Sequence, residues 1–412
     1  MTTAVDTAAT HATGWLLLPG PAPRLLAARP GRVTARPDLT RLLDLLQTAG
    51  LTGRGGAGFP TARKLAGVAA QSRRPAVVVN AMEGEPLARK DEALLYHAPD
   101  LVVAGADILA TALGARRVVL GVGEQIATTA LEDELARHRR RIEFRSVPDG
   151  FVSGQESALV AALDGRPAVP TDPAVPVWQR GLDGRPTLVV NAETSAQLAL
   201  LVQHGAAWFR QAGRPDDPGT FLLSVTGSSR EVVADGVTEA DRGTAVGEVL
   251  ARLHLRPDLL GGVLVGGYHG AWLPPSALGT PLDRSSLAPW HASTGAGVLH
   301  VLDRRHCPVE ATARIVAYLA GQSARQCGPC VNGLPRLATT LGDLAAAPNT
   351  APNDAPRAAL DPHLPARVEH LAALVEGRGA CAHPDGTVRL VRSLMRTFAP
   401  HVRAHLDGSC PL

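Results

Sequence analysis

Apolar residues recur at helical spacing over residues 38–47 (DLTRLLDLLQ), and the pattern stops near Gly50, which predicts a helix with a glycine stop. A glycine-rich loop, Gly53 to Gly58, follows, and then a second helix over 61–70. Residues 75–80 (PAVVVN) form a short continuous apolar run, as a strand buried on both faces does. Further on, 101–113 reads as helix, 117–122 as strand, 124–138 as helix and 142–147 as strand. Alternation of this kind predicts a parallel sheet with helices on its faces. After about residue 216 the pattern changes. Strand-like runs at 221–226 and 262–267, with a short helix at 245–253 between them and many Gly and Pro turns, suggest a small α+β domain. From residue 310 the chain turns helical, at 310–322, 333–344, 365–374 and 387–405, interrupted by a loose Ala/Pro/Asn/Asp loop over 345–364.

Composition narrows the class. The 412 residues leave room for several cores, and 45% apolar with 19% charged residues is too apolar for a disordered chain. Lys+Arg 41 against Asp+Glu 38 leaves +3, so charge points neither to nucleic acid nor to an anionic membrane. The most apolar N-terminal run, 15–19, falls far short of the ~20 residues a membrane span needs, and no signal peptide is visible, so the expected compartment is the cytoplasm. Five cysteines are too few for a disulfide scaffold and, in a reducing compartment, more often bind metal or carry redox chemistry. An aromatic share of 3% leaves few rings to stack on bases, sugars or nicotinamide.

Gly53-Arg-Gly55-Gly56-Ala-Gly58 satisfies G-x-G-x-x-G, but a helix precedes it where a dinucleotide-binding turn needs a strand. Bare glycines still let a phosphate reach backbone N–H groups, a helix opening at Thr61 offers its positive end, and Arg54 and Lys64 add charge. A flexible connection between helices is the plainer reading. Cys327-Gly-Pro-Cys330 is open to three: a cluster site, a zinc half-site or a dithiol pair.

The surrounding residues resemble one family. Gly53 to Thr61 (GRGGAGFPT) with Lys64, residues 79–86 (VNAMEGEP), 154–159 (GQESAL), 186–194 (PTLVVNAET), 326–333 (QCGPCVNG) and 379–382 (GACA) resemble, in order, motifs of the NADH-binding 51 kDa (F) flavoprotein subunit of respiratory complex I. The resemblance implies a Rossmann-like α/β FMN domain, a ubiquitin-like β-grasp (SLBB) domain and a C-terminal helical bundle holding an iron–sulfur cluster. By position these would be residues 38–216, 217–303 and 304–412, after an N-terminal extension over 1–37. It also implies hydride transfer from NAD(H) or NADP(H) to FMN, with single electrons leaving through the cluster to a thioredoxin-like 2Fe–2S subunit or a ferredoxin. Nucleic acid and direct membrane insertion are not implied; any membrane association would be peripheral, through partner subunits.

The resemblance further implies a phosphate cradle of Gly53, Arg54, Gly55, Gly56 and Lys64, with Asn80 and Glu83 toward the flavin ring and nucleotide. Gly154, Gln155, Asn191 and Thr194 would complete the pocket, Phe59 would stack on the nucleotide, and Glu83 and Glu156 would be the catalytic carboxylates. Taken singly, Asn80 could cap a turn, Asn191 satisfy strand backbone and Glu83 stand in solvent. The chain also departs from the family pattern. An Asp is replaced by Met82, a Glu by Gln155, a Lys–Phe-bearing segment aligns with 172–176 (DPAVP), and another Phe falls near Gly67. Losing two rings at ~0.5–1.5 kcal/mol each would weaken NADH by one to two orders of magnitude, and the neutral Gln155 would relax discrimination against NADPH. Of four expected thiolates, Cys327, Cys330 and Cys381 are present, and Ala324, beside Ser323, stands at the first. A 4Fe–4S or a 3Fe–4S cluster would each be compatible, with His383 and Cys410 also reachable as ligands. The C subunit of ion-pumping ferredoxin–NAD oxidoreductases shares the glycine loop and fits Met82 as well, but its paired cluster motifs are absent. A non-catalytic SLBB scaffold that has lost both redox ends is the alternative of a different class.

Overall fold

The structure, a computed structural model, describes residues 9–10, 15–18, 20, 24–26, 33–126, 142–171, 174–346 and 361–412. Most of the helix expected over 124–138, most of the 345–364 loop, and Asp172 lie outside these residues. The chain forms two compact units: Met1–Val225 with Asp235–Ala245 and Pro281–Asp283, and Thr226–Ala234 with Val246–Thr280 and Arg284–Leu412.

In the first unit, short strands β1 (Ala9–Thr10) and β2 (Leu16–Leu18) precede helix α1 (Leu39–Ala49). Asp38 caps α1 by accepting from the Arg41 amide, and Gly50 ends it in the left-handed conformation at φ 72°, as the sequence predicts. Helix α2 (Thr61–Ala69) is followed by β3 (Ala76–Ala81), α3 (Lys90–His97), α4 (Pro99–Leu113), β4 (Arg117–Gly123) and β5 (Glu143–Val147). Then come α5 (Glu156–Leu163), β6 (Thr187–Asn191) and α6 (Ala192–Phe209). The four strands β3–β6 form a parallel sheet in the order β5-β4-β3-β6. Val77, Val79, Val118, Leu120, Val122, Leu188 and Val190 enter one buried cluster, whereas Ala76, Val78, Val119 and Val189 enter another. In β3, β4 and β6 the two-residue alternation thus sends apolar side chains to both faces, which is why their sequences are unbroken apolar runs, whereas β5 (EFRSV) is partly exposed. Strand β7 (Thr220–Gly227) pairs antiparallel with β8 (Gly236–Asp241), and β8 pairs in parallel with β2. A piece of the N-terminal 37 residues is therefore built into this unit, with Leu25 and Leu26 fully buried.

Helices α4 and α6 cross closely: a Cβ at Gly105 would lie 1.9 Å from the Ser195 carbonyl oxygen, and Ser195 Oγ donates to the Val102 carbonyl. No single helix among the described residues is long and apolar enough to cross a membrane.

The second unit carries α7 (Val246–Arg252) and strands β9 (Leu260–Val265), β10 (Ala271–Leu273) and β11 (Val298–Asp303), with β9 antiparallel to both others. Five helices follow: α8 (Pro308–Gly321), α9 (Leu334–Ala346), α10 (Leu364–Val375), α11 (His383–Thr397) and α12 (Ala399–Leu406). Leu334, Ala372, Val375 and Val388 pack together where α9, α10 and α11 meet. The single helix expected over 387–405 is two, broken at Phe398, where Pro400 can neither donate to nor clear the carbonyl four residues back.

Candidate functional site

The sheet order sets the position of the site. From β3 the chain moves to β4 and β5 on one side and returns as β6 on the other, so the order reverses between β3 and β6. Ligand crevices of open α/β sheets form at such a switch point, outside the carboxyl ends of the strands. Asn80 and Asn191 are paired across it in register, each at the carboxyl end of its strand. Asn80 Nδ2 donates to the Gly154 carbonyl at 2.8 Å, and its Oδ1 accepts from the Met82 amide at 3.0 Å. Asn191 caps α6 by accepting from the Glu193 amide at 3.0 Å, while its Nδ2 donates to Asp91 Oδ2 at 2.7 Å.

The glycine loop folds over this corner. A bridge between Thr52 and Pro60 closes its base, with Gly53 N–H donating to the Phe59 carbonyl at 2.9 Å. Gly56 and Gly58 take φ 104° and 60°, and a Cβ on Gly55 would touch Asn191 Cβ at 3.4 Å. The Arg54 amide donates to Thr194 Oγ1 at 2.8 Å, tying the loop to the first turn of α6. The Arg54 guanidinium is buried, donating to Thr52 Oγ1 and to the Pro218 carbonyl, and burial, with Arg242 nearby, lowers its pKa to about 10. Its Nε and the buried hydroxyl of Thr61, at the opening of α2, have no hydrogen-bond partner among the described residues. Pro60, at the N-cap of α2, makes no side-chain capping bond.

Below the asparagines lies a network of charged groups that periodicity does not reveal. Lys90, 3% exposed, reaches Asp91 Oδ1 at 2.8 Å and Glu193 Oε2 at 3.0 Å. Burial lowers its pKa, but Asp91, Glu193 and Glu83 together hold it above its ordinary value. Glu193 accepts from the Leu222 amide, and burial pushes its carboxyl up against the pull of Lys90 and Arg54. Half-buried Glu83 accepts from the Asp91 and Glu92 amides at 2.9 and 3.0 Å, so it caps α3 from eight residues upstream. Desolvation, with Asp91 beside it, pushes Glu83 up to about 7 against the opposing effects of Lys90 and the two N–H groups. The sequence signal for Lys90 and Asp91 was there to use: opposite charges side by side at the opening of α3, shortly after the 79–86 motif.

The remaining predicted residues divide into two groups. Lys64 and Glu156 meet in a salt bridge of 2.9 Å, each about a third exposed. Gln155 caps α5, its Oε1 accepting from the Ser157 and Ala158 amides at 2.8 and 3.0 Å. Gly154 is packed against Met82, where a Cβ would sit 3.3 Å away, and Met82 itself is buried with Val78, Val119 and Leu159. Phe59 is 48% exposed with the Arg63 guanidinium over its ring.

In the second unit, Cys330 lies on a π-helical turn, Pro329–Gly333, that opens into α9. Burial pushes its thiol up to about 12, and Cys327 and Cys381 add to the rise. Burial acts the same way on Cys327, but the Ala380 and Cys330 N–H groups and the Cys330 thiol outweigh it and lower that pKa. Burial and the nearby Cys327 raise Cys381. The Cys327 and Cys330 thiols share a hydrogen bond, and Cys381 is near enough to act electrostatically on Cys330. Ser323 Oγ, next to Ala324, is buried without a partner among the described residues. His383 is already engaged. Its Nε2 donates to the Leu319 carbonyl, which leaves Nδ1 to accept from His269 Nε2 at 3.0 Å. Cys410 sits beside Cys307 and His405, within 4.8 Å of each.

Comparison with known proteins extends this picture. Residues 46–200 match the family described as the Nuo51 FMN-binding domain, and residues 310–405 match the NADH-ubiquinone oxidoreductase-F iron-sulfur binding region. The chain is similar to the NADP-reducing hydrogenase subunit HndC of Solidesulfovibrio fructosivorans, 29% identical over 400 residues, covering 90% of this chain and 77% of the relative. It is also similar to the F 2 subunit of the NADH-quinone oxidoreductase of Rhizobium meliloti, 27% identical over 394 residues and covering 90% of both chains. Among solved structures, the air-oxidized NAD+-reducing NiFe-hydrogenase superposes with a TM-score of 0.80 at 30% identity, covering 93% of this chain and 68% of that one. In the H2-reduced state the figures are 0.78, 31%, 91% and 64%, so this chain spans about two thirds of the hydrogenase chain's length.

Proposed function

The chain belongs to the family of complex I NADH-binding flavoprotein (F) subunits, and from that premise we propose that it moves electrons from NAD(P)H through FMN and an iron–sulfur cluster to a partner protein. The observation that carries this reading is the in-register pair Asn80 and Asn191 at the switch point, with the glycine loop bonded over it through Arg54 N and Thr194.

The residues suit a phosphorylated flavin. A phosphate needs N–H donors and positive potential, and the loop of Gly53, Gly55 and Gly56 ends on an uncapped helix whose first hydroxyl, Thr61 Oγ1, has no partner among the described residues. These groups, with Lys64, would hold the phosphate. The Arg54 guanidinium, engaged with Thr52 and Pro218, would brace the loop rather than contact it. Asn80, Asn191 and Gly154 would fix the ring edge, since the Asn80 side chain is already locked by two hydrogen bonds and that of Asn191 by three. FMN, when bound, supplies the change from paired to single electrons that a cluster requires. Glu83 would hold a proton near neutral pH at its carboxyl, and Glu156, paired with Lys64, would serve as the second carboxylate. With Met82 and Gln155 neutral, and Phe59 and its neighbour Arg63 at the surface, nucleotide binding is weaker and less selective between NADH and NADPH than the family pattern gives.

Cys327, Cys330 and Cys381 would hold the cluster, a soft donor set suited to iron–sulfur chemistry, with Ser323 nearest in sequence to the missing thiolate. The finer architecture follows the same reading: a Rossmann-like domain over 38–216, a β-grasp domain over 217–303 and a helical cluster domain over 304–412. The electron acceptor is a thioredoxin-like 2Fe–2S subunit or a ferredoxin. Anaerobically purified protein tests the proposal: it should carry FMN and iron, and either nucleotide should bleach the flavin. A colourless protein, or a flavin that neither NADH nor NADPH reduces, would overturn it in favour of a non-catalytic scaffold.

A further inference from the structure

Two of the five cysteines lie outside the cluster motif, and the structure brings them together within the second unit. Cys307 stands at the N-cap of α8, buried, and Cys410 lies four residues beyond the end of α12. Between them sits the buried imidazole of His405, on the last turn of α12. The two sulfurs and one imidazole nitrogen lie within 4.8 Å of one another, and Cys307 Sγ is 3.1 Å from His405 Nε2. Ninety-eight residues separate Cys307 from His405, so sequence spacing gives no hint of the group.

The orientation of the histidine is decisive. His405 Nδ1 lies 3.0 Å from the Leu344 carbonyl, which can only accept, so Nδ1 carries the proton and Nε2 presents its lone pair to the sulfurs. Histidine ligands of metals are held in this way, with the distal N–H on a backbone carbonyl. Tetrahedral zinc with Zn–S about 2.3 Å and Zn–N about 2.0 Å sets its sulfurs about 3.8 Å apart and sulfur and nitrogen about 3.6 Å apart. The observed spacing reaches that geometry with shifts of about half an ångström at the Cys307–His405 edge.

We propose that Cys307, His405 and Cys410 form a zinc site, separate from the cluster thiols, with three protein ligands and a fourth position open to water. Thiolate and imidazole donors with no carboxylate among them select zinc over magnesium, calcium or manganese. Binding displaces the two thiol protons to solvent and involves no electron transfer, so no oxidant or reductant is needed. Its consequence is structural: the ion ties the end of the chain to the start of α8.

The test is metal content of the full-length protein, purified anaerobically after growth with zinc, alongside Cys410→Ser, His405→Gln and Cys381→Ala. About one zinc per chain is expected, with two sulfur ligands and at least one nitrogen ligand in the zinc X-ray absorption spectrum. Cys410→Ser, at a half-exposed tail position that packing burdens least, should lose the zinc and keep the iron and the fold, and Cys381→Ala should lose iron and keep the zinc. Three results would each overturn the proposal: protein without zinc, zinc lost from Cys381→Ala but kept in Cys410→Ser, or a Cys307–Cys410 disulfide in the protein as isolated, seen as a mass two daltons lighter.

Discussion

Lys90→Met would remove the ammonium that Asp91 and Glu193 both contact, at 2.8 and 3.0 Å, while leaving a side chain of similar length in a buried slot. What remains is three carboxyls, Glu83, Asp91 and Glu193, and the Arg54 guanidinium, which acts on Glu193 and lies closer to Thr52 and Pro218. Removing one partner from a buried pair commonly costs about 3–5 kcal/mol, because the other charge stays desolvated. Two bonded carboxylates place this case at the upper end at neutral pH. The pH dependence has a definite sign. Glu83 is raised to about 7 and Glu193 is also raised, so between the ordinary carboxyl range and about pH 7 the native state binds more protons than the unfolded one. The contribution of Glu83 to stability is full below its unfolded pKa and is lost as pH rises through about 7, and that of Glu193 falls in the same direction. Lys90→Met raises both groups further, so the variant should lose most stability above pH 7 and recover much of it near pH 5. Urea unfolding of both proteins across pH 5 to 8, followed by circular dichroism, measures this. A loss below about 1 kcal/mol at pH 7.5, or a deficit that does not shrink on acidification, would refute the reasoning.

Two further outcomes are expected. Gly84→Ala places a Cβ 2.4 Å from the Gly150 carbonyl oxygen and 2.8 Å from that of Phe151, both backbone, so the loop that carries Gly154 must move. A stability loss of about 1–3 kcal/mol and reduced flavin retention should follow in thermal unfolding and flavin quantitation. Thr61→Val removes a buried hydroxyl that has no protein partner among the described residues, so ligand-free stability should hold or rise by about 1 kcal/mol. The same change should weaken flavin binding by about 10- to 150-fold, as loss of a hydrogen bond to a charged group does, and fluorescence titration of FMN into apoprotein reads it.

Strands β3 and β4 were legible because residues buried on both faces leave no alternation to disguise them, whereas the equally apolar β6 was not read as a strand, and α1 was legible from its cap, its period and its glycine stop. Helix α5 was not. Its sequence, ESALVAAL, is apolar almost all round and buried, which erases the amphipathic signal. The glycine loop and the cysteine motif announced themselves as motifs, but the site's electrostatics did not. Lys90 and Glu193 are a hundred residues apart and look solvated until the fold closes them against each other. Cys307, His405 and Cys410 were invisible for the same reason: their meeting is a product of helix packing, which no local window contains.

Asn80 and Asn191 are held by a ladder of backbone hydrogen bonds between neighbouring strands, which involves no side chain at either position. Their separation is therefore inherited from the sheet and is indifferent to what the adjoining turns become. That insulation covers the two backbones only: the Asn80 side-chain amide is aimed by the turns themselves, through the Met82 N–H and the Gly154 carbonyl. A protein engineer recasting those turns would therefore leave the strand ends alone and keep the Met82 N–H and the Gly154 carbonyl where they are.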